Sequence, residues 1–429
     1  MNKHDSERVA GLLEKMGLSV VDEPAQADVV VFMTCCVREK ADVRLKGAVS
    51  SLKCAKDANP SMIIAVGGCI GQRDGVKLIE QISHIDIVFG TQNIEDLPDL
   101  INAACESKEA QVSIKETSDS FASDLPTHRE SPYHAWLSIT VGCDNFCSYC
   151  VVPYVRGRER SRVLEDIVAE AQQLVNDGVK EITLLGQNVN SYGRDIYGTP
   201  HFAQVLEAVA ATGIERIGFA TSHPKDLTDE TIAVLARTPA CLSYVHLPFQ
   251  SGSNAILKAM NRVYTREEYF ELVQKIRRAL PGVALSTDII VGFPGETEED
   301  FCDTLSLYEE CGFDQAFTFI YSPREGTPAA TMPNQIAPEI SSERFNRLVA
   351  LVQKCAYDNN QQALDTTQRV LVEGTSKRDD TKLVGRSRQN KIVHFALPDD
   401  MKLEDIIGTE VDVLITNAQT WFMAGELTR

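Results

Sequence analysis

Three cysteines lie within eight residues in the segment Cys143-Asp-Asn-Phe-Cys147-Ser-Tyr-Cys150. The segment follows the first of six strand patterns that alternate with helical patterns, and this order predicts parallel βα units. A complete (β/α)₈ barrel needs about 250 residues, so the shorter stretch predicts an open, partial (β/α)₆ barrel with the cysteines at its C-terminal mouth. The predicted strands are Trp136–Thr140, Glu181–Leu185, Arg216–Ala220, Ser243–Leu247, Ala284–Val291 and Ala316–Tyr321.

The spacing of these cysteines suits an iron–sulfur cluster. Thiolates are the natural ligands of a [4Fe–4S] cubane, and three of them on one loop can hold three of its four irons. The fourth iron then stays open for a ligand, as in catalytic metal sites. The alternative is a structural zinc site that uses the same three cysteines and one distant ligand.

The fold class is α/β, and the pattern of predicted strands and helices differs before and after the partial barrel. Residues 1–106 predict a doubly wound α/β domain, with strands at Leu18–Val21, Asp28–Met33, Met62–Val66 and Ile85–Phe89. Residues 107–132 are rich in Ser, Thr, Asp, Glu and Pro and predict a linker. The partial barrel takes residues 133–366. Residues 367–429 contain short strands with turns and predict a small, OB-like β-barrel.

Composition excludes several classes of protein. The 429 residues include 42 Lys and Arg and 61 Asp and Glu, which gives a formal charge of −19. This charge excludes binding of nucleic acid through a broadly basic surface, but it does not exclude a local basic patch. We expect no membrane partner, since no apolar run approaches the roughly 18–20 residues that a membrane helix needs. Twelve cysteines behind a polar N-terminus predict a reducing, cytoplasmic location. We expect a monomer.

Longer motifs around the three cysteines identify a family. The loop resembles that of the radical S-adenosylmethionine (SAM) superfamily. Five further segments resemble the tRNA methylthiotransferases within it, over essentially the whole chain. They are Val151-Val-Pro-Tyr-Val-Arg-Gly-Arg-Glu-Arg-Ser-Arg162, Gly186-Gln-Asn-Val-Asn-Ser-Tyr-Gly193, Thr221-Ser-His-Pro224, His246-Leu-Pro-Phe-Gln-Ser-Gly-Ser253 and Asp288-Ile-Ile-Val-Gly-Phe-Pro-Gly-Glu-Thr297.

The resemblance implies both chemistry and partners. SAM would bind the open iron of the Cys143, Cys147 and Cys150 cluster, and its reductive cleavage would give a radical that takes hydrogen from C2 of an adenine. A second SAM would supply the methyl group of a methylthio product. The implied substrate is N6-isopentenyladenosine in a tRNA anticodon stem-loop, with a sulfur source and an electron donor such as flavodoxin or ferredoxin. Alternatives are a ribosomal-protein aspartate, threonylcarbamoyl-adenosine in tRNA, or an RNA-binding iron–sulfur module without turnover.

A second, auxiliary [4Fe–4S] cluster is implied for the N-terminal domain. Cys35 and Cys69 match two of its three cysteine ligands, and each follows a predicted parallel strand, where open α/β sheets place their ligands. The family's first ligand precedes the run that begins here at Met1, so it is missing from this chain. We expect an N-terminal truncation, or else a variant in which Cys36 or another group completes the site. Cys36 itself is predicted to point away and to be structural.

The resemblance and strand-end positions also suggest binding residues. Predicted SAM contacts are Tyr149, Gln187, Asn188, Ser222 and His246. Predicted tRNA contacts are Arg156, Arg158, Arg160 and Arg162, which would share one face of an extended segment, and Arg386 and Arg388 in a terminal barrel that resembles the TRAM fold. Phe395 and Trp421 in that barrel are expected to fill its core.

Overall fold

A four-stranded parallel sheet forms the centre of the N-terminal domain. The structure is a computed structural model, and it describes residues 1–36, 39–117, 121–397 and 401–428. These residues divide into two compact units. The first unit comprises Met1–Ser131, Trp136–Arg162 and Arg324–Ala330, and the second comprises Pro132–Ala135, Val163–Pro323 and Thr331–Arg429.

The first unit alternates strands and helices, as the sequence predicts. Its strands are β1 (Val29–Thr34), β2 (Ile63–Gly68), β3 (Ile87–Phe89), β4 (Gln111–Ser113), the end of β5 (His134–Ser138), β6 (Thr140–Val141) and β7 (Arg160–Ser161). Its helices are α1 (Asn2–Lys15), α2 (Glu39–Ser51), α3 (Lys53–Ala58), α4 (Cys69–Asp74), α5 (Val76–Gln81), α6 (Leu97–Ser107) and α7 (Val152–Val155). Apolar side chains cover both faces of the sheet, which is why β2 is buried along its whole length.

Two predictions for this unit are wrong. Leu18–Val21 forms no strand, and its residues Val20 and Val21 are exposed, so the run has no layer to pack against. The predicted linker contains β4, which pairs in parallel with β3, and a 3₁₀ turn at Ala122–Asp124. The polar composition of residues 107–132 gave no sign of β4, because a strand at the edge of a sheet needs few apolar residues.

The second unit holds the other strands of the partial barrel. They are β8 (Glu181–Leu185), β9 (Arg216–Phe219), β10 (Tyr244–His246), β11 (Ala284–Val291) and β12 (Gln315–Ile320), close to their predicted positions. Strands β8 and β9 pair in parallel, as do β10, β11 and β12, and a bridge between Ile217 and Cys241 joins the two groups. The helices are α8 (Leu164–Asn176), α9 (Arg194–Tyr197), α10 (Phe202–Ala210), α11 (Asp229–Arg237), α12 (Asn254–Ala259), α13 (Arg266–Ala279), α14 (Glu298–Cys311) and α15 (Pro338–Gln361).

A closed β-barrel ends the second unit, which confirms the small barrel expected there. Its strands are β13 (Thr367–Ser376), β14 (Asp379–Ser387), β15 (Ile392–Ala396), β16 (Glu410–Ala418) and β17 (Met423–Leu427), in the order β13-β14-β15-β17-β16, with a short helix α16 (Leu403–Ile406) before β16. Phe395 lies in the barrel core as expected, whereas Trp421 is half exposed on the turn between β16 and β17.

A buried arginine fastens this barrel to β8 and β9. The guanidinium of Arg216 is inaccessible to solvent, and it donates to the carboxylates of Glu181 at 2.6 Å and Glu410 at 2.8 Å. It also donates to the carbonyl oxygens of Arg386 and Ser387. Burial alone would raise the pKa of Glu410, but the hydrogen bonds from Arg216 and Arg369 lower it below its usual value.

Replacing Arg216 should therefore lower the stability of the second unit. Arg216→Ala leaves the Glu181 carboxylate without its buried cation and leaves Glu410 with only Arg369 and Arg388, so we expect it to destabilise this unit by about 3–5 kcal/mol. The control is Arg237→Ala, which removes a surface ion pair with Glu207 and costs about 0–1 kcal/mol. Chemical denaturation of both variants measures the difference. Equal unfolding midpoints would contradict a fastening role for Arg216.

Candidate functional site

Residues 140–161 form a hairpin, here called the cluster-loop hairpin. Its base is the antiparallel pairing of β6 with β7, in which Thr140 is opposite Ser161. The Cys143 N–H donates to the Gly157 carbonyl at 3.2 Å, so the loop is closed directly before its first cysteine. Gly142 makes this closure possible, because it has a φ of 82° and a Cβ there would lie 2.0 Å from the Arg158 carbonyl oxygen.

The three cysteines of the hairpin are not in disulfide bonds, and they lie in partly protected positions. Cys143 and Cys147 are each 8% exposed and Cys150 is half-buried. The Cys150 N–H donates to the Cys147 carbonyl at 2.9 Å, which fixes the turn that contains the half-buried Tyr149. Among the described residues, no three His, Cys, Asp or Glu side chains close around a single ion. Three thiols on one loop can each bind a separate iron of a cubane, so this donor set fits an iron–sulfur cluster.

Cys35 and Cys69 lie side by side at the C-terminal edge of the parallel sheet. Thr34 is opposite Gly68 in the β1–β2 register, so the next residue of each strand is a cysteine. The Thr34 hydroxyl joins the two strand ends, since it donates to the Gly67 carbonyl at 2.6 Å and accepts from the Ile70 N–H at 3.0 Å. The predicted strand-end placement of both cysteines is therefore present.

Cys36 does not point away from this edge, contrary to the expectation from strand alternation. The chain leaves β1 at Thr34, so the alternation of an extended strand no longer applies. The Cys36 thiol shares a hydrogen bond with Cys69, which raises the pKa of Cys36 well above its usual value. The same hydrogen bond, helped by Arg156, lowers the pKa of Cys69 to about 6. Cys36 thus remains an open alternative for completing the site.

A buried ion pair lies next to Cys69. Arg156 and Asp5 are 2.7 Å apart, with side chains that are 6% and 3% exposed. Burial would raise the pKa of Asp5, but the charge of Arg156 holds it well below its usual value. Helix α1, the cluster-loop hairpin and the edge of the sheet therefore meet at one charged cluster within the first unit.

The predicted alignment of four arginines on one face is wrong. The segment is not extended, because helix α7 ends at Val155 and Gly157 turns the chain with a φ of 76°. Arg156 and Arg162 are consequently buried, and Arg162 donates to the Ser138 carbonyl at 2.9 Å. Arg158 remains exposed and pairs with Asp144, and Arg160 lies over the Phe121 ring. The contact of Arg158 and Arg160 with tRNA stays a prediction.

Several buried polar atoms without partners lie after β8, β9 and β10 in the second unit. Within the described part of the chain, the buried atoms Asn188 Oδ1, Asn190 Nδ2, Ser222 Oγ and Gln250 Oε1 have no hydrogen-bond partner. Unsatisfied buried polar atoms cost free energy, and a polar ligand would remove that cost. The predicted SAM residues Asn188 and Ser222 therefore fit such a ligand, and Gln187 is half-buried beside Asn188.

His246 is held by two residues that sequence reasoning missed. Its Nδ1 lies 2.8 Å from Ser286 Oγ, and its Nε2 lies 3.6 Å from Asp288 Oδ1. Alternation along β11 places Ser286 and Asp288 on one face, and this period-2 pattern was the signal available in the sequence. Asp226 was also missed, although it follows the Thr221-Ser-His-Pro224 motif and accepts from Asn188 Nδ2 at 2.7 Å.

Arg386 and Arg388 make contacts inside the second unit. Arg388 donates to the carbonyl oxygens of Pro239 and Cys241, and Arg386 pairs with Glu373 at 3.1 Å. These contacts give both side chains a structural role, and their predicted role in tRNA binding stays a prediction. The neighbouring Lys377 and Arg378 are more exposed.

Known families match the chain in three places. Residues 1–90 match a family described as uncharacterized protein family UPF0004, residues 137–308 match the Radical SAM superfamily, and residues 364–428 match the TRAM domain. Full-length relatives are more similar still. A protein of Thermoanaerobacter sp. strain X514, named tRNA-2-methylthio-N(6)-dimethylallyladenosine synthase, is 49% identical over 100% of this chain and 90% of its own length.

A protein of the same name from Carboxydothermus hydrogenoformans is 46% identical over 100% of this chain and 97% of its own length. The chain belongs to this family of radical SAM methylthiotransferases. Among solved structures, the radical S-adenosylmethionine methyltransferase TsrM from Kitasatospora setae superimposes with a TM-score of 0.54 at 14% identity, over 76% of this chain and 72% of TsrM. At that identity the likeness concerns the fold alone, and it confirms the radical SAM fold class.

The closure at Gly142 yields a test of the hairpin. Gly142→Ala adds a methyl group against the Arg158 carbonyl, whereas Gly17→Ala, at a similar φ of 86°, meets no atom within 4 Å. We expect Gly17→Ala to cost about 1–2 kcal/mol from backbone strain alone. Gly142→Ala should cost more and should lower the iron bound after reconstitution. Iron assays and thermal unfolding compare the two, and an iron content in Gly142→Ala equal to that of Gly17→Ala would contradict the role of the closure.

Proposed function

We propose that this chain methylthiolates C2 of N6-isopentenyladenosine, also called N6-dimethylallyladenosine, in tRNA next to the anticodon. The observation that carries the proposal is the set of three closely spaced cysteines, Cys143, Cys147 and Cys150, on a hairpin whose base is paired. The full-length similarity to synthases of that product supports it.

Each cysteine has a proposed role. Cys143, Cys147 and Cys150 hold a [4Fe–4S] cluster that, when bound, supplies the electron that cleaves SAM. Cys35 and Cys69 hold an auxiliary [4Fe–4S] cluster, for which Cys36 is a candidate third ligand. The buried guanidinium of Arg156 lies near Cys69. Its positive charge favours the Cys69 thiolate, which is the form that binds metal.

Residues after the barrel strands bind SAM in this proposal. Asn188 and Ser222 offer buried polar atoms that lack partners within the described residues. His246 is oriented by Ser286 and Asp288, so its ring presents a fixed edge. Gln187 and Tyr149 complete the proposed set of cofactor contacts.

The anticodon stem-loop is the proposed macromolecular partner. Arg158 and Arg160 on the cluster-loop hairpin, with Arg386 and Arg388 on the terminal barrel, are the proposed phosphate contacts. Arg156 and Arg162 act by stabilising the hairpin, because both are buried. With a formal charge of −19 on the chain, we expect the affinity to depend on a few local cations and to fall steeply with salt.

The remaining partners follow from the reaction. Reductive cleavage of SAM needs an electron donor, for which we propose a flavodoxin or ferredoxin, and methylthiolation needs a sulfur source. No helix among the described residues has the length and apolarity to cross a membrane. We propose a cytoplasmic location, where tRNA and these donors are found.

Nucleoside analysis of tRNA tests this function. We expect the wild-type chain, expressed in a host that lacks its own methylthiotransferase, to convert isopentenyladenosine to its 2-methylthio derivative, as measured by mass spectrometry. Cys147→Ala should abolish the product, because the cluster needs all three thiolates, and the control Cys105→Ala, at an exposed position on α6, should retain it. Retained product in Cys147→Ala would contradict the assignment of the loop. A methylthio group only on threonylcarbamoyl-adenosine would instead favour the alternative substrate.

A further inference from the structure

The geometry points to Phe146 and Tyr154 as a stacking surface for an unpaired nucleobase of the substrate RNA. This inference rests on the proposed function and gives a recognition role to two motif residues to which no role has been assigned so far. The two residues are here called the aromatic pair. Both belong to the cluster-loop hairpin.

The aromatic pair is a defined arrangement. The two ring centroids are 6.2 Å apart at an interplanar angle of 82°, which is an edge-to-face contact. The guanidinium of Arg158 lies 5.7 Å from the Phe146 centroid. Arg158 is itself held by Asp144, whose carboxylate accepts from Nε at 2.7 Å and from Nη2 at 3.0 Å. Ring, ring and guanidinium are therefore positioned before any ligand arrives.

Packing alone does not explain the pair. Phe146 is 39% exposed and Tyr154 is 54% exposed, although both are large aromatic residues. Phe146 also adopts a φ of 46°, a left-handed conformation that is a true outlier for a bulky residue. Glycine or asparagine would meet this turn at less cost. Backbone strain of this kind concentrates at binding and catalytic sites, and here it presents a ring to solvent.

The chemistry of the pair fits RNA. Single-stranded RNA is recognised by stacking of splayed bases on aromatic rings and on arginine planes, and every base offers a π-face for this contact. The pair combines two rings and a guanidinium within one loop. Tyr154 is on α7, which begins two residues after Cys150, so a base stacked there would lie beside the loop that carries the three cysteines.

Tyr154 provides the cleaner test, because it lies outside the three-cysteine segment. The experiment measures binding of a fluorescently labelled anticodon stem-loop carrying isopentenyladenosine to the reconstituted full chain. Tyr154→Ala should weaken binding roughly 5- to 150-fold, the equivalent of one lost base–aromatic stack. Tyr154→Phe keeps the ring and should bind like the wild type. Tyr357→Ala, which removes another exposed tyrosine from α15, is the matched control and should also bind normally.

Iron content and SAM cleavage with dithionite are measured on each variant, and both should be unchanged in Tyr154→Ala. Wild-type affinity in Tyr154→Ala overturns the inference. If that variant binds RNA normally but cleaves SAM poorly only when flavodoxin supplies the electron, the surface docks the reductant instead and the inference also fails. Loss of iron with unchanged RNA affinity would assign the pair to shielding the cluster. A wild-type chain that binds the stem-loop in a Tyr154-dependent way but forms no methylthio product would overturn the proposed function and leave this inference standing.

Discussion

The buried contact between Arg156 and Asp5 is the interaction on which the first unit depends. It joins two residues 151 positions apart, one in the first turns of helix α1 and one directly after helix α7. A charge buried without its partner is costly, so the pair can persist only if α1 and the cluster-loop hairpin keep their places. Because Arg156 also contacts Cys69, the same guanidinium relates the hairpin to the end of β2. Two sets of cysteines from distant parts of the sequence therefore belong to one folded unit.

Much of this arrangement could be predicted because it is local. The three cysteines of the hairpin are close in sequence, and their spacing alone indicates a cluster. Cys35 and Cys69 each follow a run of apolar residues, and parallel strands bring their carboxyl ends to one edge whatever the rest of the chain does. The strands of the partial barrel carry the same kind of signal. Burial alternates along β8 and is complete along β9, and the bounds of the barrel strands in the structure are close to those predicted.

What could not be predicted depends on contacts between distant residues. Alternation suggested that Arg156, Arg158, Arg160 and Arg162 share a face, but a short helix and a glycine turn break the alternation and bury two of them. Arg386 and Arg388 look like free cations in the sequence, yet their partners Glu373, Pro239 and Cys241 lie on other elements. The direction of the Cys36 side chain could not be predicted either, because it depends on where β1 ends.

The most direct test of this account is hydrogen exchange on Asp5→Asn. Loss of the carboxylate charge leaves Arg156 buried without its anion, a change of about 3–5 kcal/mol. The account predicts that the amides at the base of the hairpin, including the Cys143 N–H, lose protection together with those of β1 and β2. The control is Glu130→Gln, which removes the exposed ion-pair partner of Lys3, a residue on the same helix as Asp5. This change should leave the protection of these amides unchanged. Hairpin protection in Asp5→Asn equal to that of the wild type would contradict the claim that this ion pair holds the unit together.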